Sequence, residues 1–310
     1  MRSTLAIGVL ALLAAAGPAE AKWVWSSDTG FVDTDSYETG DPEVLYKKAQ
    51  ELYDAGNYAD SSTEFTRIAL YTSDGRYREQ ALFMSGEAYY KAGKFYRAYL
   101  AYDEYLNLYS RSERVKYVIQ QLADCGFKLM GGAKKEFLGL PILPGTGTGT
   151  EIVKHVIEKY PYEEGSDQFQ YLLINHYLDE QDFEQATLEA DLFLTTYPNS
   201  QWGPTVQFQK GAAQLAAHQG VAYDPTPLQD ARKSFQDYLE RNPNGDRTEE
   251  AKARLSEIDE KQAQKDFDVA DFYRRTGHPD AARVYFETVV RRYPNTSWSQ
   301  RAQAELEDLK

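Results

Sequence analysis

The chain of 310 residues is short of the residues that build reaction centres and covalent cross-links. It has one cysteine, Cys125, so no intramolecular disulfide can form. Cys125 falls in a helical pattern from Val115 to Leu129 and reads as a small buried residue. The four histidines, His155, His176, His218 and His278, stand in separate segments at no metal-ligand spacing. No Gly-x-Ser-x-Gly elbow, His-Glu-x-x-His motif or Cys-His arrangement occurs. The expectation is a protein that is not an enzyme, with no cofactor, no metal and no small-molecule substrate.

Long apolar runs are also scarce. Leu5 to Ala16 is almost wholly apolar, too short to span a bilayer comfortably, and is followed by Gly17-Pro18-Ala19-Glu20-Ala21. One N-terminal positive charge, the apolar run and the Ala-x-Ala ending read as a secretory signal peptide over 1–21. No cysteine follows that run, so no lipid-attachment site is expected at a mature start. Later stretches are interrupted by charge, which predicts a soluble or peripheral mature protein. Positive charge is in deficit, with 34 Lys and Arg against 48 Asp and Glu for a net charge of −14. That balance disfavours nucleic acid and anionic lipid as principal partners.

What the chain has is aromatic residues, including 24 tyrosines, distributed with a helical period. Residues 22–41 read as an extended N-terminal arm opening on Lys22-Trp23-Val24-Trp25, where the tryptophans could dock on the fold, a partner or a membrane interface. From Pro42 a helix-pair module recurs. Glu43 to Asp54, a turn at Ala55-Gly56-Asn57-Tyr58 and Ala59 to Tyr71 form the first copy. Arg78 to Lys91, Ala92-Gly93-Lys94-Phe95 and Tyr96 to Tyr109 form the second. Later copies stop at Tyr160-Pro161, Tyr197-Pro198, Asn242-Pro243 and Tyr293-Pro294, because proline lacks the N–H that a helix needs.

The third copy carries an insert at 131–150, expected to be irregular. Its first part is apolar, Phe137-Leu138-Gly139-Leu140-Pro141-Ile142-Leu143-Pro144, and Gly145-Thr146-Gly147-Thr148-Gly149-Thr150 reads as a flexible stem. That Gly-Thr run lacks the Gly-Lys-Ser/Thr ending of a phosphate loop. The fifth copy has a widened turn over Gly220 to Pro227, and Ser297 to Leu309 can cover the end of the array.

These modules resemble the tetratricopeptide repeat. Gly56 and Gly93 lie 37 residues apart, near its period of about 34 residues. Small residues recur at the helix crossing: Gly86 and Ala98, Ala186, Gly211 and Ala231, Ala270 and Ala282. The resemblance implies an all-α, right-handed solenoid of about six helix pairs with a C-terminal capping helix. Residues 42–199 would form an N-terminal array and 200–310 a C-terminal one.

A sharper likeness lies in the C-terminal third. Asp266-Phe267-Asp268-Val269-Ala270-Asp271-Phe272-Tyr273-Arg274-Arg275-Thr276-Gly277, then Ala281-Ala282 and Val289-Val290-Arg291-Arg292-Tyr293-Pro294-Asn295-Thr296, resembles the final repeat of the BamD family of outer-membrane β-barrel assembly factors. Gln209 to Pro243, with Ala231-Arg232-Lys233-Ser234-Phe235 after its widened turn, is similar to another repeat of that family. The resemblance implies a periplasmic, non-catalytic scaffold, peripheral to the outer membrane through its partners. Those partners would be other assembly components and unfolded barrel polypeptides. Its C-terminal repeats would dock a partner, with Phe267, Asp271, Arg274 and Arg275 as candidates.

The residues also propose a peptide groove. Tyr46, Phe83, Tyr171, Phe208 and Phe267 each lie three positions before the small crossing residue of the first helix of a pair. Tetratricopeptide geometry turns that position to a concave groove, where Tyr53 and Tyr90 would join it; packing against neighbouring helices is the competing reading. Tyr46, Tyr53, Phe83, Tyr90 and Tyr171 are the candidate groove residues. Two other functions share this architecture: an adaptor of peptidoglycan synthesis or cell division, and an envelope hydrolase regulated by repeats, for which the chain leaves no catalytic module.

Overall fold

A computed structural model describes residues 23–26, 30–38, 40–137, 140–217 and 226–309. The proposed signal peptide and most of the widened turn lie outside them, as does His218. The chain divides into two compact units, Met1–Phe169 and Gln170–Lys310.

Unit 1 begins with an antiparallel hairpin of β1 (Trp23–Ser26) and β2 (Gly30–Asp33), which pairs Trp23 with Asp33 and Ser26 with Gly30. The short α1 (Thr34–Glu38) follows. The residues expected to be an extended arm therefore hold local structure. Helices α2 (Pro42–Asp54), α3 (Tyr58–Tyr71), α4 (Gly75–Lys91), α5 (Phe95–Leu108) and α6 (Val115–Met130) then pack in succession. A second hairpin, β3 (Lys134–Phe137) with β4 (Leu140–Pro144), precedes α7 (Thr146–Lys159), which packs on α6.

The division between the units falls inside α8 (Ser166–Asp179). Unit 2 continues with α9 (Phe183–Thr196), α10 (Gly203–Ala217), α11 (Thr226–Arg241), α12 (Thr248–Arg275), α13 (Pro279–Arg292) and α14 (Ser297–Asp308). The fold is all-α in its packed elements, with sequential helix pairs of tetratricopeptide type.

The turns inside the pairs share one geometry among the described residues. Gly56, Gly93, Gly132 and Gly277 adopt φ of 79°, 74°, 96° and 81°, the left-handed region that only glycine enters without a Cβ penalty. In each case its N–H donates to a carbonyl three residues back, as Gly93 does to Tyr90 at 3.0 Å. The next N–H reaches five residues back, as Lys94 does to Tyr89 at 2.9 Å. These bonds satisfy carbonyls that the helix end leaves open. Gln181 takes the same place in the α8–α9 turn, at φ 59° and with the same two bonds.

The turn between pairs has its own recurring device. Beyond the helix ends at Tyr160, Asn242 and Tyr293, a buried hydroxyl donates back to the last carbonyl: Ser166 to Tyr160 at 2.6 Å, Thr248 to Asn242 at 3.1 Å and Thr296 to Tyr293 at 2.8 Å.

Small residues at the crossings let the helices meet. A Cβ on Gly86 would stand 2.6 Å from the Tyr102 ring, and one on Gly211 would stand 3.0 Å from Phe235. The cores built around them hold Tyr102, Tyr105, Ile119 and Leu122 in unit 1, and Phe208 with Phe235 in unit 2. At the C-terminal end Ala270, Ala282, Phe286 and Ala302 form another core. Helix α14 buries Ala302 and lays Trp298 against Phe267, closing the last pair.

Residues 131–150 correct the expectation of an irregular insert. They form the hairpin and then the first turn of α7. The Gly-Thr run is a packing surface: a Cβ on Gly149 would lie 2.5 Å from the Gly126 carbonyl oxygen, and one on Gly145 would lie 2.2 Å from that of Ala133. Gly147, between them on the other face, meets nothing within 4 Å. Helical periodicity thus sorts the glycines, and the buried two allow α6 and α7 to approach closely.

Candidate functional site

The first helices of the pairs in unit 1 are α2, α4 and α6. On α4, Phe83, Glu87 and Tyr90 fall at spacings of four and three and share one face. Tyr46 and Tyr53 are two turns apart on α2, as are Tyr117 and Asp124 on α6. Hydrogen bonds join these faces. The Tyr117 hydroxyl donates to Glu87 Oε2 at 3.1 Å, and the buried Tyr102 donates to Glu87 Oε1 at 2.5 Å. The Tyr90 hydroxyl donates to Asp124 Oδ2.

Partial burial and then the Glu87 carboxylate push the Tyr117 phenol up to about 12, and the same two causes raise Tyr53. Burial, followed by the hydrogen bond to Asp124, raises Tyr90 as well. At the other end of the face, the Arg114 guanidinium lies 4.7 Å from the centre of the Phe83 ring, within cation–π range. The same arginine acts on the Tyr46 phenol, whose upward shift is due mainly to burial. The result is a strip of phenol and phenyl rings with two hydrogen-bonded carboxylates and one cation.

The recurring ring position three residues before the crossing has a packing role. Tyr46 meets Phe65 with ring centres 5.3 Å apart, Phe83 meets Tyr105 at 5.8 Å, Phe208 meets Phe235 at 5.4 Å and Phe267 meets Phe286 at 5.1 Å. All four contacts are tilted by 58° to 61°, and each joins the first helix of a pair to its second. The position is an internal clasp of the repeat, fully buried at Phe208. Tyr46 and Phe83 stay half-buried.

Tyr53 and Tyr90, two turns further along, are held edge-on by Tyr58 at 5.2 Å and Phe95 at 5.3 Å and are also half-buried. The structure therefore brings Tyr46, Tyr53, Phe83 and Tyr90 into one unit. Tyr171 belongs to unit 2, stacked on Trp202 at 4.3 Å. Sequence reading missed Tyr117, 41% exposed, and Glu87 and Arg114. The signal was present in the spacing of Tyr117 and Asp124 on α6, but no small crossing residue stands three positions after Tyr117 to flag it.

In the last pair, Phe267 is half-buried between Phe286 and Trp298, the latter ring centre at 5.1 Å. Asp271 pairs with Arg274 at 2.6 Å and Arg275 at 2.9 Å, and Arg274 also reaches Glu305 of α14 at 3.3 Å. Arg275 remains largely exposed. Beside it Phe272 is 55% exposed, and Tyr285 is exposed and stacked on Tyr273 at 5.4 Å and 13°. Sequence reading missed this aromatic surface; Phe272 falls off the buried stripe of Phe267, Ala270 and Tyr273, which marks it for solvent.

Cys125 is fully buried in α6, and its thiol is pushed up by burial, then by Asp124 and Glu87. Among the described residues no His, Cys, Asp and Glu cluster could hold a metal ion, and no helix is long and apolar enough to cross a membrane.

Comparison with known proteins adds a family to this geometry. The model of the YfiO family, described as an outer membrane lipoprotein, matches residues 38–131 and 147–309. The stretch left between those matches carries β3 and β4. A Vibrio cholerae serotype O1 protein named outer membrane protein assembly factor BamD is 24% identical over 165 residues, covering 50% of this chain and 68% of that protein. A Caulobacter vibrioides protein of the same name is 23% identical over 150 residues, covering 48% and 49%. A Xylella fastidiosa protein so named is 33% identical over 76 residues, covering 24% and 26%. The aligned stretch thus spans about two thirds of the first relative, half of the second and a quarter of the third.

Proposed function

The chain belongs to the YfiO family of outer membrane lipoproteins, and from that membership we propose that it is a non-catalytic scaffold in outer-membrane β-barrel protein assembly, acting on the periplasmic side. Its relatives carry the name of an assembly factor. Two surfaces divide the work. The strip on α2, α4 and α6 receives an unfolded barrel segment, and the exposed face of α12 and α13 docks another assembly component.

The observation that carries this reading is the placement of half-buried rings and fixed polar groups on one face of three successive first helices. A half-buried ring has already lost most of its rotamer freedom, so covering its remaining edge yields binding energy at little further entropy cost. Contacts of this kind contribute on the order of 1 kcal/mol each. The carboxylates of Glu87 and Asp124, held by tyrosine hydroxyls, and the Arg114 guanidinium give the strip opposite charges at separate points. An extended peptide bound there would be read for both its apolar side chains and its polarity. No bond is made or broken; the work is recognition.

The test is a titration of Tyr53→Ala and Tyr90→Ala chains with a barrel-derived peptide ending in an aromatic residue. Each change is expected to weaken binding by about tenfold with the circular dichroism spectrum retained. Unchanged affinity in a folded double variant removes the groove. For the second surface, Phe272→Ser with Tyr285→Ser should abolish co-purification of the assembly core and leave peptide affinity unaltered.

A further inference from the structure

A cleft in unit 1 lies apart from both surfaces. Helices α3 and α5 flank it and α4 forms its floor, through Arg78, Leu82, Ser85 and Tyr89. Those four positions share one face of α4, about 140° round the helix from Phe83, Glu87 and Tyr90 of the strip. The walls carry Leu70 of α3 and Leu100 and Leu108 of α5, which remain 49%, 44% and 59% exposed. Three leucines along one furrow are apolar surface left in water.

The cleft restricts what can cover them. Its polar side chains are engaged with their own backbone: Thr66 Oγ1 donates to the Ser62 carbonyl at 2.7 Å, Ser85 Oγ to that of Leu82 at 2.8 Å, and Arg78 to that of Thr72 at 2.5 Å. The floor and both walls are helices, whose backbone groups bond within themselves. An extended chain laid there would leave its own N–H and C=O groups unpaired, whereas a helix brings those bonds with it. The cavity measures about 340 Å³. Spread over the ~17 Å of helix axis from Arg78 to Tyr89, that is a cross-section of about 20 Å², room for side chains but not for a helix about 10 Å across. A helix therefore rides on the rims and sends one row of side chains between them.

Charge sets a second condition. Glu104 stands on the α5 wall, one turn from Leu100 and one turn from Leu108. Burial and then the neighbouring Asp103 raise its carboxyl, and no cation offsets them. Asp103 itself is held by Lys159 at 2.9 Å. A purely apolar occupant would cover Glu104 without pairing it, at a desolvation cost that a basic side chain removes.

We propose that this cleft docks an amphipathic helix of a partner protein, about three turns long, with aliphatic side chains at spacings of three and four and a lysine or arginine beside them that meets Glu104. Docking takes the three leucines out of water, and the pair at Glu104 sets the register of the helix. The net charge of −14 favours the approach of a basic segment. Because the cleft and the strip use separate faces of α4, the inference does not rest on the strip, and one chain can hold both occupants at once.

The test is a fluorescence-anisotropy titration of the purified chain with a labelled synthetic peptide of leucine and lysine in helical register. A peptide of the same composition in scrambled order and one with glutamate in place of lysine run beside it. Saturable one-to-one binding of the first is expected, with the other two weaker by about tenfold or more. Leu70→Gln with Leu100→Gln, both at exposed positions, should weaken the first peptide about tenfold in a chain that keeps its circular dichroism spectrum. Glu104→Lys should weaken the lysine peptide and strengthen the glutamate peptide, each by several-fold. Tyr90→Ala should leave the lysine peptide unaffected. Equal affinity for the scrambled peptide, unchanged affinity in the leucine variant, or loss of binding in Tyr90→Ala would overturn the proposal. So would self-association of the chain, or its capture by phospholipid vesicles, that the leucine variant abolishes while helix binding persists.

Discussion

At the scale of single residues, the turns show how much one dihedral angle decides. Among the described residues, four of five equivalent turns use glycine at positive φ, and the remaining one uses Gln181 at 59° with the same hydrogen bonds. A side chain there costs about 1–2 kcal/mol in a left-handed conformation, partly offset by the entropy that glycine adds to the unfolded chain. Gln181→Gly is therefore expected to stabilise the protein by about 0.5–1 kcal/mol, read as a shift in denaturation midpoint at constant slope. An unchanged or lower midpoint would count against the shared turn geometry. The turns at Gly56, Gly93 and Gly277 were legible in the sequence because glycine advertises the conformation. The turn at Gln181 gave only a helix break, since Gln181 hides the same backbone behind an ordinary side chain.

At the scale of elements, α7 is tied to α5 by charge. Lys159 Nζ contacts Asp103 Oδ1 at 2.9 Å and Asn107 Oδ1 at 2.9 Å, and His155 lies 3.6 Å from the same carboxylate. Burial acts upward on Asp103, but the bonds to His155 and Lys159 outweigh it and hold the carboxyl down to about 2, against an ordinary 3.8. A depressed folded-state pKa stabilises the protein at pH above about 4, and that contribution is lost as pH falls from there toward 2. Asp103→Asn should cost about 1–2 kcal/mol at neutral pH and flatten the acid-side decline. Acid titrations followed by circular dichroism check both; a variant with the parent's acid limb would refute the assignment. The existence of α7 was readable from Glu151 onward, but its first turn was not. Glycine and threonine have weak helix propensity, and only the surface of α6, met by Gly145 and Gly149, makes helix the stable choice there.

At the scale of the whole molecule, the net charge of −14 acts on encounter more than on fold. Association with a basic partner peptide should therefore slow several-fold between low and physiological salt, with dissociation changing less, as stopped-flow measurements can read. A salt-independent association rate would remove the steering role. The architecture was legible from the chain because a repeat restates its solution: the small crossing residues, the Tyr-Pro stops and the helical period recur in copy after copy. The recurring ring position was equally legible, but its role was not. One sequence pattern serves both a ring left half in water and a ring buried within its own pair, and Phe208 differs from Tyr46 and Phe83 only in what surrounds it. Periodicity alone determined that this protein is a run of helix pairs, since apolar spacing and backbone geometry are local properties. Which edge of each ring remains in water, which carboxylate a tyrosine finds on the next helix and where a cleft opens between α3 and α5 were decided by tertiary structure, because those quantities depend on residues distant in sequence meeting across a packed interface.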